Sequence, residues 1–382
     1  MKTKLSMIVL ASMISAPSFA ADIERNGFAS IVAGQTTSSD QEFDGYTNDL
    51  TFDNGSIIGL QATSDLGNGL GMTAQIIAKG EDGWDPEFAW AYLSYDFTDD
   101  TRVLVGRQRA PFYMYSDYID VSYAYPWITP PSGVYSLPFD AINGVSIIHS
   151  MQIGQFDTTT HVSYGQNSEP TEVLGELVDV DVESVVIGSF TANRDWLTLR
   201  AAYAVANVSF YGDEGSSIDQ IADLAAIWEG LGYSNIANGL VSNSDQGSFL
   251  QVGFQIDHND WLFVGEYTEV DLSDSVIGKD DSFYVMAGKR FDNIMLHVTY
   301  GQDNSAGKLL TSGITEPAFV DLVAATDAAM NSQNEDSNFA TVGARWDFHE
   351  AAALKFEYTK HSDDLNGLND ADVVRMAFVT VF

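Results

Sequence analysis

Apolar and polar residues alternate with a period of two from one end of the chain to the other, in segments of about eight to ten residues. In Ile294 to Gly301, one face is Ile294, Leu296, Val298 and Tyr300, and the other is Met295, His297, Thr299 and Gly301. Leu354, Phe356 and Tyr358 oppose Lys355, Glu357 and Thr359 in the same way. From Ala340 to Phe348, the split is Ala340, Val342, Ala344, Trp346 and Phe348 against Thr341, Gly343, Arg345 and Asp347; Leu250 to Ile256 and Leu197 to Tyr203 read similarly. Each segment predicts a β-strand. Phe88–Phe97 and Arg102–Arg109 alternate poorly, as a bulge that moves side chains to the other face would make them do.

A soluble sandwich alternates too, so the connections decide between architectures. Short and long ones take turns. The short ones are Gly67-Asn68-Gly69, Thr98 to Thr101, Gly154-Gln155, Arg194-Asp195, His258 to Asp260, Asp292-Asn293 and His349-Glu350, all with tight-turn chemistry. The long ones are polar and acidic, at 36–55, 80–87, 110–143, 167–183, 212–247, 271–281, 303–336 and 361–371. Seven short turns and eight long loops join about sixteen strands, with both termini on the short-turn side. This predicts an all-β fold: a closed antiparallel transmembrane β-barrel with short periplasmic turns and long extracellular loops. Two of the loops carry apolar residues at helical spacing, in Ile218 to Trp228 and Pro317 to Met330, and predict short helices over the mouth.

Aromatic residues sharpen the assignment. Phe97, Phe156, Trp196, Trp261, Phe291 and Phe348 each sit within about two residues of a short turn, where a girdle of rings marks the membrane interface. The N-terminus reads as an export signal: Lys2 and Lys4, an apolar run from Leu5 to Ile14, then Ala16-Pro17-Ser18-Phe19-Ala20, with cleavage expected after Ala20. The organisation is thus a signal peptide, 1–20, and one barrel, 21–382. No later segment is apolar for long enough to form a transmembrane helix.

Charge excludes further classes. The 17 basic residues fall to 15 without Lys2 and Lys4, against 54 acidic ones, so nucleic acid is not an expected partner. The acidity reads as solvated loops facing lipopolysaccharide and outer-membrane lipid. There is no cysteine for disulfides or thiolate metal sites. Asp179-Val180-Asp181-Val182-Glu183, Asp280-Asp281 and Asp363-Asp364 lack the ligand spacing of a calcium loop, so no metal or other cofactor is expected. Six histidines are present without a nucleophile elbow or HExxH motif, and the chain is not expected to be an enzyme.

The layout resembles the general porins of Gram-negative outer membranes. The features that carry it are Ser18-Phe19-Ala20 for export, the early Gly27-Phe28-Ala29-Ser30-Ile31 strand, sixteen strands, a long third loop and the terminal Phe382. The resemblance implies a homotrimer, a third loop folded inward to narrow the pore, and acids on that loop opposite wall arginines. A barrel this wide cannot be filled by its own side chains, so a water-filled lumen is expected. The wall candidates are Arg107, Arg109, Arg200 and Arg345, with Asp117, Asp120 and Asp140 facing them. Tyr113, Tyr115, Tyr118, Tyr123, Tyr125 and Trp127 either pack the loop against the wall or stack on sugar rings. The expected function is passive diffusion of small hydrophilic solutes and ions, with cation preference. A channel selective for sugars or small anions, or an adhesive barrel, is the alternative.

Overall fold

The computed structural model describes residues 22–39, 41–173, 176–241, 244–272, 278–331, 334–365 and 370–382. The expected cleavage point after Ala20 lies outside them. The first strands are β1 (Ile23–Thr36), β2 (Ile57–Gly67), β3 (Leu70–Lys79), β4 (Pro86–Thr98), β5 (Thr101–Arg109), β6 (Ala141–Ile153), β7 (Phe156–Asn167), β8 (Thr171–Val173) and β9 (Glu176–Arg194). After these come β10 (Leu197–Tyr211), β11 (Asp245–His258), β12 (Trp261–Leu272), β13 (Gly278–Phe291), β14 (Ile294–Ala306), β15 (Glu335–His349), β16 (Ala352–Asp363) and β17 (Ala371–Val381). Every strand except β8 is a barrel stave, so the described residues form a sixteen-stranded antiparallel barrel. β8 is a short flap hydrogen-bonded to the outer end of β9.

Closure occurs where the chain ends meet. β1 pairs with both β2 and β17, and the Gly27 and Phe382 backbones exchange hydrogen bonds of 2.7 and 2.8 Å. Among the described residues no barrel edge remains unpaired, which satisfies the staves' polar backbone inside a bilayer. The Phe382 ring lies over Gly27, where a Cβ would meet it at 2.3 Å, so glycine is what admits the terminal aromatic.

Burial runs inside out. On β14 the outward residues Ile294, Leu296, Val298 and Tyr300 are exposed, whereas Met295, His297 and Thr299 are buried. Phe356 and Tyr358 on β16 are likewise exposed, and Lys355, Glu357 and Thr359 buried. An apolar surface this continuous needs a lipid solvent. Five of the six predicted girdle aromatics, Phe97, Trp196, Trp261, Phe291 and Phe348, are exposed at the short-turn rim. The turns use left-handed backbone where the sequence offered Gly, Asn or Asp: Gly67-Asn68-Gly69, Gly154, Asp195, Asn259-Asp260 and Asp292 all have positive φ.

The irregular segment is a bulge. Gln75 pairs with Trp90 but Ile76 pairs with Phe88, which leaves Ala89 as the extra residue of β4. Phe88 therefore stays exposed while Ala89 and Trp90 are both buried. Two expected loops are shorter than the sequence suggested. Most of 167–183 and parts of 271–281 are strand, because β9 begins at Glu176, β12 runs to Leu272 and β13 begins at Gly278. In β9, Val178, Val180 and Val182 are buried and Leu177 and Asp179 exposed, so the acid-rich stretch is an alternating strand whose acidity masked its period.

Two loops build a roof over the mouth. α1 (Ser217–Gly230) and α2 (Ser234–Leu240) come from the connection after β10, and α3 (Val320–Asn331) from that after β14. α1 begins with Ser216 as N-cap, its hydroxyl accepting from the Asp219 amide. Ile221, Trp228, Ile236, Leu240 and Met330 bury one another between the loops, and Trp228 Nε1 donates to Thr326 Oγ1 at 2.8 Å. Trp228→Ala should cost about 3–5 kcal/mol of local stability, as truncation of a fully buried aromatic does. Limited proteolysis is then expected to cut within 217–240 while the barrel survives; unchanged resistance would mean the roof is held elsewhere.

Candidate constriction site

The connection from β5 to β6, residues 110–140, crosses the lumen and docks on the far wall. Its outgoing foot, Phe112 and Tyr113, packs against Val182 of β9 and Phe249 of β11. The Met114 amide then donates to Glu266 Oε1 of β12 at 2.8 Å. Two 3₁₀ turns, Ser116–Tyr118 and Ser122–Ala124, compact the middle of the loop. The tip, 122–128, lies on β14 to β17, and the return leg brings Tyr135 back to Glu266 Oε2 at 2.8 Å. Small wall residues make room for the tip: Ala353 and Ala377 are buried against Ile128, with Val32 and Val379 beside them.

Two wall cations hold the tip by its backbone, and a third braces it through side chains. Lys355, fully buried, donates to the Ser122 carbonyl at 2.5 Å, to the Tyr125 carbonyl at 2.9 Å and to the Trp127 carbonyl. Arg345 bonds the Tyr123 and Tyr125 carbonyls at 2.7 and 3.0 Å, and its guanidinium lies 4.9 Å over the Tyr123 ring. Arg375 reaches Thr129 Oγ1 and Glu357 Oε2, both at 2.9 Å, while Glu357 Oε1 accepts from the Ile128 amide at 2.9 Å. A peptide segment with no charge of its own is thereby bound by cations whose fields its carbonyl dipoles answer.

The four arginines and three aspartates expected from sequence fall into separate groups. Arg109 is brought together with Asp120 and Asp140, forming direct ion pairs with both, and stacks 4.9 Å over Trp90. Arg200 donates to the Pro111 carbonyl at 2.6 Å and to Thr191 at 3.0 Å, steadying the outgoing foot. Asp117 is exposed near Arg200 and makes no direct ion pair among the described residues. Arg107 is not brought to the loop. Its guanidinium bonds the Phe88 and Ala89 carbonyls at the bulge, at 2.9 and 3.2 Å, and pairs with Glu169 at 2.7 Å. The alternation already set Lys355 and Glu357 opposite Leu354, Phe356 and Tyr358, and Arg375 was not singled out. Their loop partners are mostly backbone groups, which leave no mark in the sequence.

The aromatic residues divide by burial. Tyr113, Tyr115, Tyr125 and Trp127 are buried, and their polar tips are satisfied within the dock, Trp127 Nε1 by Thr299 Oγ1 at 2.8 Å and Tyr125 Oη by the Ile119 carbonyl at 2.7 Å. Tyr115 and Tyr135 stack with ring centres 6.5 Å apart. These rings fasten the loop. Tyr118 is the most open, its phenol pushed up to about 12, by burial first and then by Asp117. Tyr123 is half-buried, and its hydroxyl donates to the Glu350 carbonyl at 2.8 Å.

Polar recesses lie on two sides of the loop. One is lined by Asp44, Lys79, Glu81, Asp120 and Ser132, the other by Tyr118, Tyr123, Asp257, Arg290 and Asp347, and Tyr125 borders both. A polar space on either side of an inward loop, inside a closed barrel with an apolar outer face, is the arrangement of a constricted channel. The chain has the porin fold. The outer membrane channel DcaP of Acinetobacter baumannii has this fold with a TM-score of 0.60 at 15% identity, over 96% of this chain and 99% of that one. OmpF of Salmonella typhi gives 0.59 at 13% identity over 94% and 97%, and the anion-selective porin of Comamonas acidovorans 0.58 at 12% over 94% and 99%. No protein-family model matches the sequence, and no curated protein does. Among the described residues of this porin-fold chain, no three His, Asp or Glu side chains gather as a metal site.

Proposed function

We propose that the protein is an outer-membrane channel for passive diffusion of small hydrophilic solutes and ions, preferring cations. The observation that carries the reading is the inward loop, fastened across a barrel too wide for its own side chains to fill, with polar space on both sides. Cation preference rests on how charge is spent. Arg109, Arg345, Lys355 and Arg375 are all engaged with loop carbonyls or carboxylates, whereas Asp44, Glu81 and Asp117 face the lumen with fewer counter-charges. Single-channel current in a planar bilayer under a salt gradient tests both parts. Steady steps with a cation-signed reversal potential are expected, and no current, or a reversal potential favouring chloride, would overturn the corresponding part.

Acid should weaken the preference. Burial first of all raises the carboxyls of Asp44 and Glu81 above the usual range, so these groups take up protons before ordinary carboxylates do. The cation-signed reversal potential is therefore expected to shrink as pH is lowered toward, but not into, the range where ordinary surface carboxylates titrate. A reversal potential flat over that interval would place the selectivity elsewhere.

A sugar-selective channel is the second reading, favoured by the exposed Tyr118 and the Tyr123 ring beside the carboxylates of one recess. Sugars that interrupt the current would support it. Anion selection has less support, since the arginines are occupied. The reading includes no catalysis: His161 meets Ser163 at 3.2 Å, but that hydroxyl is buried in the wall and bonded to Ser146 at 2.7 Å. We propose a homotrimer joined through the barrel wall. The connection after β3 is short for a latch to a neighbour, and its first residue is tied to its own barrel, the Gly80 amide donating to the Ser56 carbonyl at 2.8 Å.

A further inference from the structure

The recess that Asp44 shares with the end of β3 has a volume of about 440 Å³ and lies beside the inward loop. Its charged groups differ in what they already hold. Arg375 donates to Thr129 Oγ1 and Glu357 Oε2, both at 2.9 Å, and also faces Asp44. Asp120 is paired with Arg109, which serves Asp140 as well. Lys79, the last residue of β3, is half-buried in the lining, and its ammonium makes no hydrogen bond or direct ion pair among the described residues. Two carboxylates lack a full counter-charge. Asp44 accepts from the Ser132 hydroxyl but divides Arg375 with Glu357, and Glu81 accepts from the Gly55 amide and is attracted by Lys79 without direct contact.

Lys79 therefore holds neither the loop nor the wall, unlike Arg109, Arg345, Lys355 and Arg375. Its three donors point into a space of the size that binds small molecules, about 300 to 1,000 Å³. Charge decides which solutes gain there. A small cation is drawn by Asp44 and Glu81 but opposed by Lys79. A small anion meets Lys79 but is opposed by both carboxylates, and an uncharged solute forgoes all three. A molecule with one carboxylate and one ammonium is favoured by every one of these groups, and complementary charge of this kind discriminates between solutes of equal size.

We propose that this recess is a binding station for small zwitterions, amino acids and short peptides, whose carboxylate is taken by Lys79 and whose ammonium is taken by the carboxylates of Asp44 and Glu81. The proposal rests on the channel reading, because the solute reaches the recess along the lumen, and it names a solute class for that reading. Its consequence is selective retention: a zwitterion dwells beside the inward loop longer than a cation of the same size, although simple cations carry most of the current.

The test uses three probes on one backbone and one variant. Glycylglycine is a zwitterion at about pH 7, its methyl ester a cation and its N-acetyl derivative an anion. At about 10 mM, glycylglycine is expected to interrupt single-channel current for about tenfold longer than the ester does, the ratio that one charge-assisted hydrogen bond supplies, and the N-acetyl derivative to cause no interruptions. Lys79→Gln should shorten the glycylglycine interruptions to those of the ester. Crystals of the unaltered protein soaked in glycylglycine should show its carboxylate at Lys79. An ester that dwells as long as glycylglycine, glycylglycine interruptions unchanged in Lys79→Gln, or a recess empty after soaking would each overturn the proposal. Absence of any current would sink the channel reading instead, and the soaked crystals would still decide the recess.

Discussion

Lys355→Met should open the channel. The substitution keeps an unbranched side chain of similar length, so the wall of β16 retains its shape, but the carbonyls of Ser122, Tyr125 and Trp127 lose their common donor. A buried polar group left without a partner costs about 1–3 kcal/mol, and the Ser122 and Trp127 carbonyls share the loss while that of Tyr125 keeps Arg345. The sixteen-strand ladder is unaffected, so the energy is recovered by lifting the loop tip into water and not by unfolding the barrel. Conductance is then expected to rise by about twofold or more, with added current noise, and neutral sugars should enter liposomes faster. The sugar measurement matters because removal of a positive charge would by itself alter ion flow. Equal sugar entry in the variant and the parent, with both correctly folded by heat-modifiable gel mobility, would mean that Lys355 does not hold the constriction.

That residue also shows what the sequence could and could not disclose. Period-two alternation put Leu354, Phe356 and Tyr358 on one face and Lys355, Glu357 and Thr359 on the other, and burial divides them the same way. The barrel, its turn chemistry and two of the three roof helices were legible because each depends on neighbours in sequence. The constriction was only partly legible. Arg109 with Asp120 and Asp140 could be suspected, since both acids lie in the connection that follows it. Lys355 grips carbonyls some 230 residues away, and every residue type has a carbonyl, so composition carries no trace of the contact. Arg107 was expected on the inner wall beside Arg109. Its guanidinium is instead taken by the backbone of the bulge at Ala89, a device that alternation hinted at but could not place. The apolar sector of β9 was hidden differently, because its alternate positions are aspartates and the stretch read as an acidic loop.

The largest loss of order is expected at the opposite end of the inward loop, in Glu266→Leu. This carboxylate, buried in β12, accepts from the Met114 amide at 2.8 Å, Tyr135 at 2.8 Å, Gln251 at 2.9 Å and Tyr284 at 3.1 Å. It ties both legs of the loop to one wall position, whereas Lys355 holds only the tip. Leucine fills much of the same space but strands four donors at once, and at about 1–3 kcal/mol for each group that finds no water the sum exceeds what the local aromatic packing can offset. Both feet should loosen, and with them the stacked pair Tyr115 and Tyr135. Hydrogen exchange at the Met114 amide is the direct readout, expected to accelerate by about a hundredfold or more if roughly 3 kcal/mol of local protection is lost. Glu266→Gln discriminates the causes. Its amide oxygen can still accept from Met114 but its NH₂ group cannot accept from the phenols, so exchange should fall between parent and leucine variant, with Tyr135 freed before Met114. If glutamine and leucine accelerate exchange equally, charge and not acceptor count holds the feet; if neither does, the packing of Phe112, Tyr113 and Phe249 suffices, and the hub assigned to Glu266 is wrong.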